Sequence, residues 1–429
     1  MWFIPSYILI LFLTILIDFY AAKHIEDSDN PKVKKRHLWL GIVNTCLVLF
    51  VFKYFNFFVD NLNYLGIKSI KHWEVILPIG LSFHVFQSLS YVIEVYRGSI
   101  KAERNLLVYA DFVLMFPQLV AGPIERANNL LPQLRDCNHK ITYSDFLIGF
   151  SKFIWGLFKK VVVADIASNY VDAVYNNYTH QSGSSLAVGT FLFAIQIYCD
   201  FSGYSDMAIG VARMLGFRFK ENFAIPYFSK SITEFWRRWH MSLSSWLRDY
   251  LYISFGGSRK GQFKTYRNLF LTMLIGGLWH GASWNFVVWG GLNGLFLSIE
   301  KLFKVNNFNP PSIIMKMIRA AYVFILINCT WVFFRATSFG QAMEILRRIF
   351  TQFNLHGFKI LDINVFTTTM LSIFILFGLE YFVFRKNSFD GLFARKQGVL
   401  LLNGLNLFLI LLVLLFGASN GAQFIYFQF

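Results

Sequence analysis

Long apolar segments with very few charged residues recur along the whole chain, and they limit its fold more than any other feature. The first runs from Met1 to Phe19 and the last from Val399 to Phe416, each close to the roughly 20 residues that a helix needs to cross a bilayer. Counting such windows gives about ten spans. Because backbone groups inside a bilayer must be hydrogen-bonded internally, the sequence predicts an all-α integral membrane protein with about ten transmembrane helices.

The composition supports this prediction. Charged residues make up 15% of the chain, against roughly 25% in soluble domains, and 55% of the residues are hydrophobic. A soluble globular enzyme and a disordered protein are therefore excluded. The net charge of +16 is spread between the apolar windows, where basic residues contact membrane lipids, and no basic run indicates a nucleic-acid partner. The cysteines indicate neither a disulfide framework nor a zinc site: Cys46, Cys137, Cys199 and Cys329.

The loops predict the orientation in the membrane, because Lys and Arg in short loops favour the cytoplasmic side. The loop from Asp60 to Glu74 has few basic residues. Basic residues cluster in three other loops: Lys23, Lys32, Lys34, Lys35 and Arg36 before it, Arg97, Lys101 and Arg104 after it, and Arg385, Lys386, Arg395 and Lys396 before the last apolar window. We therefore expect the N-terminus outside, and residues 424–429 outside or at the interface. The first segment lacks a basic leader and a cleavage site, which predicts a retained span.

The region from Ala110 to Gly261 differs from the rest, because its apolar stretches contain prolines, glycines and charges. Irregular or charged backbone at membrane depth is tolerated only inside protein or beside a wet cavity. We therefore expect re-entrant and interfacial helices here, and over Ile232–Leu251 an amphipathic helix that is interfacial or buried and does not span the membrane. A single domain is predicted for the whole chain, divided into N-terminal spans, a motif-rich core and C-terminal spans at residues 1–105, 106–300 and 301–429.

Three of the nine histidines lie in apolar surroundings, namely His84, His240 and His280. The other six lie in polar sequence and are predicted to be solvated: His24, His37, His72, His139, His180 and His356. A buried histidine must be neutral or partnered, because charging it in a low dielectric is costly. For a lone buried histidine, a satisfied structural role is the default interpretation.

His280 departs from that default because of its setting. It is the one strongly ionisable residue between Arg267 and Glu300, and intramembrane ionisable groups are functional candidates. Small and bulky residues surround it in sequence: Gly276, Gly277 and Gly281, with Trp279, Trp284 and Trp289. Packing of helices through small residues with aromatic fill also explains the glycines, but it does not need the histidine. We predict a functional role for His280.

A second candidate group surrounds His240. Arg237 and Arg238 could bind a phosphate by paired hydrogen bonds, with Trp236 available for stacking and Arg248 nearby. Anchoring of an interfacial helix at the headgroups explains the arginines equally well but not the histidine. Two carboxylates, Asp200 and Asp206, could orient a histidine or cap a broken helix. The sequence predicts no metal site and contains no P-loop, dinucleotide fingerprint or serine elbow.

Four segments, in this order and spacing, carry a resemblance to a known family: FPQLVAGPIERANNLLPQL, QIYCDFSGYSDMAIG, FWRRWHMSLSSWLRDYLYISFGGSRKG and GLWHGASWNFVVWGG. They resemble the membrane-bound O-acyltransferases, in the bacterial branch similar to alginate O-acetyltransferase, from about Leu77 to the C-terminal FIYFQF, which is also typical of that branch. The resemblance implies helices around a central funnel or tunnel. It also implies that His280 is catalytic and that His240 is a second functional residue. At His84 related sequences usually have an aromatic residue, and we interpret His84 as structural.

The resemblance further implies the reaction. An acetyl group from cytoplasmic acetyl-CoA, with no bound cofactor, would reach a hydroxyl of a cell-surface polysaccharide, directly or through an SGNH-type partner outside the bacterial inner membrane. Imidazole suits the general base that an alcohol needs, so His280 is assigned that role, and His240 would orient a substrate or polarise the thioester carbonyl. The arginines would bind donor phosphates, and the other predicted substrate-binding residues are Trp236, Asp200, Asp206, Trp279 and Asn285.

Two alternatives stay open. The cargo could be D-alanine or a longer acyl chain delivered by a carrier protein, although FGGSRKG resembles the polysaccharide-acetylating members more than the D-alanyl-transferring ones. A non-enzymatic transporter would also be polytopic, but it would normally show repeated halves or paired broken helices, and the sequence has no such duplication. The sequence does not identify the acceptor, the oligomeric state or a covalent acyl-enzyme.

Overall fold

Long apolar helices dominate the computed structural model, which describes residues 7–67, 70–74, 78, 80–136, 140–305, 311–354, 362–385, 388–418 and 421–425. All regular secondary structure in these ranges is helical. Within the described residues, six helices are long and apolar enough to cross a membrane: Tyr7–Asp27, Pro31–Tyr64, Gly183–Met214, Ile313–Arg335, Ile363–Val383 and Gly398–Phe416. The prediction of an all-α, multi-pass membrane protein is confirmed, and the number of about ten spans stays a prediction.

The chain forms two compact units. The first comprises Met1–Lys140 with Gly216–Lys220, and the second comprises Ile141–Leu215 with Glu221–Phe429. The predicted boundaries at residues 105 and 300 stay predictions. Six helices belong to the first unit: α1 (Tyr7–Asp27), α2 (Pro31–Leu49), α3 (Phe55–Tyr64), α4 (Leu81–Tyr96), α5 (Leu106–Leu114) and α6 (Ala127–Arg135). A π-helical turn, Phe50–Tyr54, joins α2 to α3, so the two run as one long helix.

The second unit contains the predicted site residues and twelve helices: α7 (Tyr143–Phe158), α8 (Asp165–Asn176), α9 (Gly183–Met214), α10 (Ile232–Arg238), α11 (Met241–Trp246), α12 (Gln262–His280), α13 (Trp284–Leu302), α14 (Ile313–Arg335), α15 (Phe339–Thr351), α16 (Ile363–Arg385), α17 (Ser388–Phe393) and α18 (Gly398–Phe416). Helix α9 is central, with 83% of its most apolar window buried, against 22% for α18. Exposed apolar side chains on α18, such as Leu414 and Leu415, suit contact with lipid.

Helices α12 and α13 pack closely through glycines, and this packing fixes the end of α12. A Cβ on Gly277 would lie 2.3 Å from the Phe286 carbonyl oxygen, and one on Gly290 would lie 2.5 Å from the Met273 carbonyl oxygen. Small residues let transmembrane backbones approach in this way. Close packing of the two helices therefore explains Gly277 and Gly290. His280 is the last residue of α12 and lies beside α13.

We expect Gly277→Ala to destabilise the protein by about 1–3 kcal/mol, because the new methyl group would overlap a backbone carbonyl and force α12 and α13 apart. Gly291→Ala is the matched control, since a Cβ there would meet only side chains at 3.7 Å or more. Thermal unfolding of the purified variants in detergent measures the difference. Equal stability of the two variants would contradict the packing described here.

The predicted continuous helix over Ile232–Leu251 is wrong. Helix α10 ends at Arg238, Trp239 is extended, His240 adopts a left-handed conformation with φ of 44° and ψ of 56°, and α11 begins at Met241. Hydrogen bonds from a distant loop break the helix, because Met241 N donates to the Asn222 carbonyl oxygen at 2.8 Å. The expectation that this segment does not span the membrane fits the lengths of α10 and α11, seven and six residues.

Candidate active site

His280 lies in an aromatic enclosure built by three helices. The residue is buried, with only 5% of its surface exposed. The imidazole centroid is 4.9 Å from the Trp279 ring, 5.1 Å from Trp289 of α13 and 5.4 Å from Phe334 of α14, each in an edge-on arrangement. Such edge-to-face contacts favour a single ring orientation. The enclosure therefore holds an ionisable group in a buried, preorganised position.

His240 is buried even more completely, at 1% exposure. Its ring packs edge-on against Phe201 of α9, with centroids 4.6 Å apart, and its Nδ1 lies 3.1 Å from Asn222 Oδ1. Burial lowers the pKa of His240 to about 3, so the imidazole is neutral at physiological pH. A non-glycine residue in the left-handed region costs about 1–3 kcal/mol and is typical of a functional site.

Trp279 connects the two histidines. Its ring centroid is 4.9 Å from that of His280 and 6.4 Å from that of His240. Residues from α12 and from the break between α10 and α11, which are 40 positions apart in the sequence, therefore share one aromatic neighbour. The structure brings together three of the predicted site residues.

A cavity of about 900 Å³ lies beside this group, within the second unit. Met241, which follows His240 in the sequence, and Met273, two turns before His280 in α12, contribute to its wall, whereas neither histidine does. Trp236 also lines the cavity, and its ring lies 5.7 Å from Trp289, which in turn contacts His280. The cavity wall is thus connected to the histidine enclosure through packed tryptophans.

Four cationic side chains line the same cavity: Arg237, Arg248, Lys301 and Lys304. Sequence reasoning found the two arginines and missed the two lysines. In the sequence they are only charged residues near the end of α13, Lys301 in its last turn and Lys304 two residues beyond it, and nothing there indicates that they face a cavity. The cavity therefore suits an anionic ligand, because Arg and Lys together bind phosphate by charge and by directed hydrogen bonds.

Glu300 also lines the cavity, and its carboxylate already has hydrogen-bond partners. Its carboxylate accepts hydrogen bonds from Ile232 N at 2.6 Å, from Thr233 N at 2.9 Å and from Thr233 Oγ1 at 3.1 Å. These bonds satisfy two backbone N–H groups in the first turn of α10, which have no carbonyl partner within the helix. Glu300 of α13 therefore positions α10, the helix that carries Trp236 and Arg237.

Several predicted site residues lie elsewhere. Arg238 pairs with Glu234 at 2.6 Å, and Asn285 Nδ2 donates to the Ala336 carbonyl oxygen at 2.7 Å, which ties the start of α13 to the end of α14. The idea that Asp200 or Asp206 caps a broken helix is wrong, because both lie inside the unbroken α9. Each instead faces a lysine: Asp206 lies 3.1 Å from Lys159, and Asp200 lies 2.7 Å from Lys160. Roles in substrate binding stay predictions for all four residues.

The histidines that were predicted to be solvated are at least partly exposed where the structure describes them. His24, His72 and His180 are exposed, and His37 is half-buried. His84 is buried, and its Nε2 lies 3.0 Å from Thr14 Oγ1. Predictions for Cys137, His139, His356, Lys386 and residues 426–429 lie outside the described residues. In the parts of the chain that the structure describes, no group of three or more His, Cys, Asp or Glu side chains could hold a metal ion.

Comparison with known proteins gives the family. The model of the membrane-bound O-acyltransferase family matches residues 12–339. A probable alginate O-acetylase of Pseudomonas putida is 45% identical over 330 residues, covering 75% of this chain and 66% of that protein. A probable alginate O-acetylase of Pseudomonas syringae is 42% identical over 383 residues, 86% of this chain and 72% of that protein.

A peptidoglycan O-acetyltransferase of Helicobacter pylori is 34% identical over 371 residues, covering 80% of this chain and 70% of that protein. The chain spans about two thirds of the length of the Pseudomonas putida relative. The family model covers more than half of the chain, and it includes both histidines, Trp279 and every cation of the cavity. The resemblance inferred from the four motifs is confirmed: the chain belongs to the membrane-bound O-acyltransferase family.

Proposed function

We propose that this protein is an O-acetyltransferase that moves an acetyl group from acetyl-CoA across a bacterial inner membrane to O-acetylate a cell-surface or exported polysaccharide. One observation carries the proposal: a buried histidine, His280, packs against Trp289, which in turn packs against Trp236 in the wall of a cavity lined by four cations. The printed names of the relatives, alginate O-acetylase and peptidoglycan O-acetyltransferase, support the acetyl group and the polysaccharide acceptor.

The cavity supports a phosphate-bearing thioester as the donor. Its volume of about 900 Å³ is in the range of small-molecule sites, and its apolar wall with a few charges is typical of them. Arg237, Arg248, Lys301 and Lys304 would bind the donor phosphates, and the thioester end would point toward Trp236 and the histidines. Because a thioester already carries an activated acyl group, the transfer needs no nucleotide hydrolysis.

His280 would act as the general base. It takes the proton of the acceptor hydroxyl while the hydroxyl oxygen attacks the thioester carbonyl, so that a C–O bond forms and the C–S bond breaks. The proton then passes from the imidazolium to the leaving thiolate, which restores neutral His280. The surrounding tryptophans exclude water and so limit hydrolysis of the thioester.

Basic residues near the cavity support a cytoplasmic donor side. Arg259 and Lys260 lie in the loop that precedes α12, and Lys264 lies in its first turn. Lys301 lies in the last turn of α13, and Lys304 lies two residues after it. The positive-inside rule assigns such clusters to the cytoplasm. The acceptor, or an SGNH-type partner that completes delivery, would then lie on the far side, with the N-terminus also outside.

Mass spectrometry of cell-surface glycans tests this function. Cells that contain the protein are expected to carry a two-carbon ester on a polysaccharide, and deletion of the protein should remove it. The mass of the lost group distinguishes acetyl from the D-alanyl or longer acyl alternatives. Glycans with unchanged acetyl esters after deletion would contradict the proposal.

We expect the double variant Lys301→Ala and Lys304→Ala to raise the KM for acetyl-CoA by about tenfold with little change in kcat, since about 1.4 kcal/mol of phosphate attraction would be lost. The effect should shrink as salt is raised, because salt screens exposed charges. Lys264→Ala is the control, because Lys264 is an exposed lysine of α12 that does not line the cavity. An unchanged KM in the double variant would exclude these lysines from donor binding.

A further inference from the structure

The segment from Asn222 to Ala224 holds the chain on both sides of His240. Asn222 is fully buried in the segment that leads from α9 to α10, and its carbonyl oxygen accepts a hydrogen bond from Met241 N at 2.8 Å. Two residues later, Ala224 N donates to the Arg238 carbonyl oxygen at 3.0 Å. The left-handed conformation of His240 is therefore enforced by backbone bonds to the residues that flank it.

The hydrogen bonds of the Asn222 side chain fix the orientation of its amide. Ser242 N lies 3.2 Å from Asn222 Oδ1, and Ser242 Oγ lies 2.9 Å from the same atom. A backbone N–H can only donate, so the atom that it contacts must be the amide oxygen rather than the amide nitrogen. The nitrogen, Nδ2, then donates to Ser205 Oγ of α9 at 3.0 Å.

This orientation decides the tautomer of His240. The Nδ1 of His240 lies 3.1 Å from the same oxygen and 3.4 Å from Ser242 Oγ; because an amide oxygen only accepts, the shorter contact is a hydrogen bond when Nδ1 carries the proton. A neutral imidazole has one N–H, which makes Nε2 the nitrogen with the lone pair. We propose that Asn222 is a positioning residue that fixes His240 in the Nδ1-protonated form and presents Nε2 as a hydrogen-bond acceptor at the site.

The inference rests on the proposed acetyl transfer and refines the role of His240 in it. A neutral ring with its proton on Nδ1 accepts a hydrogen bond at Nε2 from a hydroxyl or a thiol. It cannot donate one from Nε2 to the thioester carbonyl. Of the two roles predicted from the sequence, the tautomer favours orienting a substrate over polarising the carbonyl. Partners that orient a functional histidine in metal sites typically contribute about 10- to 100-fold, and we expect an effect of this size here.

Two replacements of Asn222 separate positioning from a structural role. Asn222→Ala removes the acceptor, and we expect kcat to fall by about 10- to 100-fold with the KM for acetyl-CoA nearly unchanged. Asn222→Asp keeps an oxygen for His240 and for both Ser242 donors, and the Ser205 hydroxyl can rotate to donate to the other oxygen. This variant should retain most of the activity.

Ser205→Ala is the matched control, because it removes only the partner of Nδ2 and should also retain most of the activity. If Asn222→Ala is as active as the wild type, or if Asn222→Asp loses as much activity as Asn222→Ala, the positioning role is overturned.

The tautomer can be measured without activity. In the nitrogen NMR spectrum of histidine-labelled full-length protein in lipid nanodiscs, the His240 signals are those that disappear in a His240→Gln variant. We expect a protonated Nδ1 and an unprotonated Nε2 in the wild type, and an altered ratio in Asn222→Ala. A protonated Nε2 in the wild type would overturn the inference. Because this result is independent of turnover, failure of the acetyl-transfer assay alone would count against the proposed function and not against the tautomer.

Discussion

Replacing His280 with alanine is expected to reduce acetyl transfer by about 10²- to 10⁴-fold, the range that a lost general base produces. The acceptor hydroxyl would lose the group that takes its proton, while the surrounding rings of Trp279, Trp289 and Phe334 would remain to hold the fold. The measurement is the amount of ester-linked acetate on surface glycans in cells that express the variant at the wild-type level.

His84→Ala is the matched control for this prediction. His84 is a buried histidine of the first unit, with its Nε2 close to Thr14 Oγ1, and we interpret it as structural. The variant should lose some stability but transfer acetyl at a rate near that of the wild type. If His84→Ala lost as much activity as His280→Ala at equal protein level, the loss could not be assigned to the chemistry of His280.

Replacing Lys159 with methionine is expected to destabilise the protein by about 3–5 kcal/mol, because it would leave the buried Glu380 carboxylate without this cation and Asp206 with only Lys152, 3.7 Å away. Lys159 is nearly fully buried, with its Nζ 3.1 Å from Asp206 and 3.1 Å from Glu380. The ammonium also lies 5.0 Å from the centre of the Trp155 ring. Methionine fills similar space, so the lost charge is the main change. Thermal unfolding in detergent measures the effect.

Two comparisons sharpen this test. Arg347→Met removes a cation from an exposed pair with Glu344, and because water screens exposed ion pairs, little change in stability is expected. Adding Asp206→Asn and Glu380→Gln to Lys159→Met should restore much of the stability, because no uncompensated charge remains among the three. A Lys159→Met protein as stable as the wild type would show that this buried network is not needed for the fold.

The sequence predicted the class of fold because hydrophobicity over about 20 residues is a local property. It did not predict the break at His240, because that break depends on Asn222, 18 positions earlier, whose hydrogen bonds form only in the folded chain. The apolar periodicity over Ile232–Leu251 favours a helix, and tertiary hydrogen bonds override that preference. The pairing of Asp206 with Lys159 is equally non-local, since it joins α9 to the turn after α7.

The same difference between local and non-local features explains why only part of the candidate site was predicted. His280 could be found because a lone ionisable residue in an apolar segment is visible in the sequence. Lys301 and Lys304 could not, because their relevance depends on which helix faces line the cavity with Arg237. Glu300 appears in the sequence as an ordinary end-of-helix charge, and only the fold shows that it holds the start of α10.

Sealed inverted membrane vesicles supplied with radiolabelled acetyl-CoA show whether acetyl transfer across the membrane depends on His280. They expose the cytoplasmic face, contain the whole modification system and do not admit the donor. Vesicles with the wild-type protein are expected to transfer label to polysaccharide, vesicles with His280→Ala to transfer almost none, and vesicles with His84→Ala to resemble the wild type. Transfer by the His280→Ala vesicles at the wild-type rate would contradict the role of His280 as the general base.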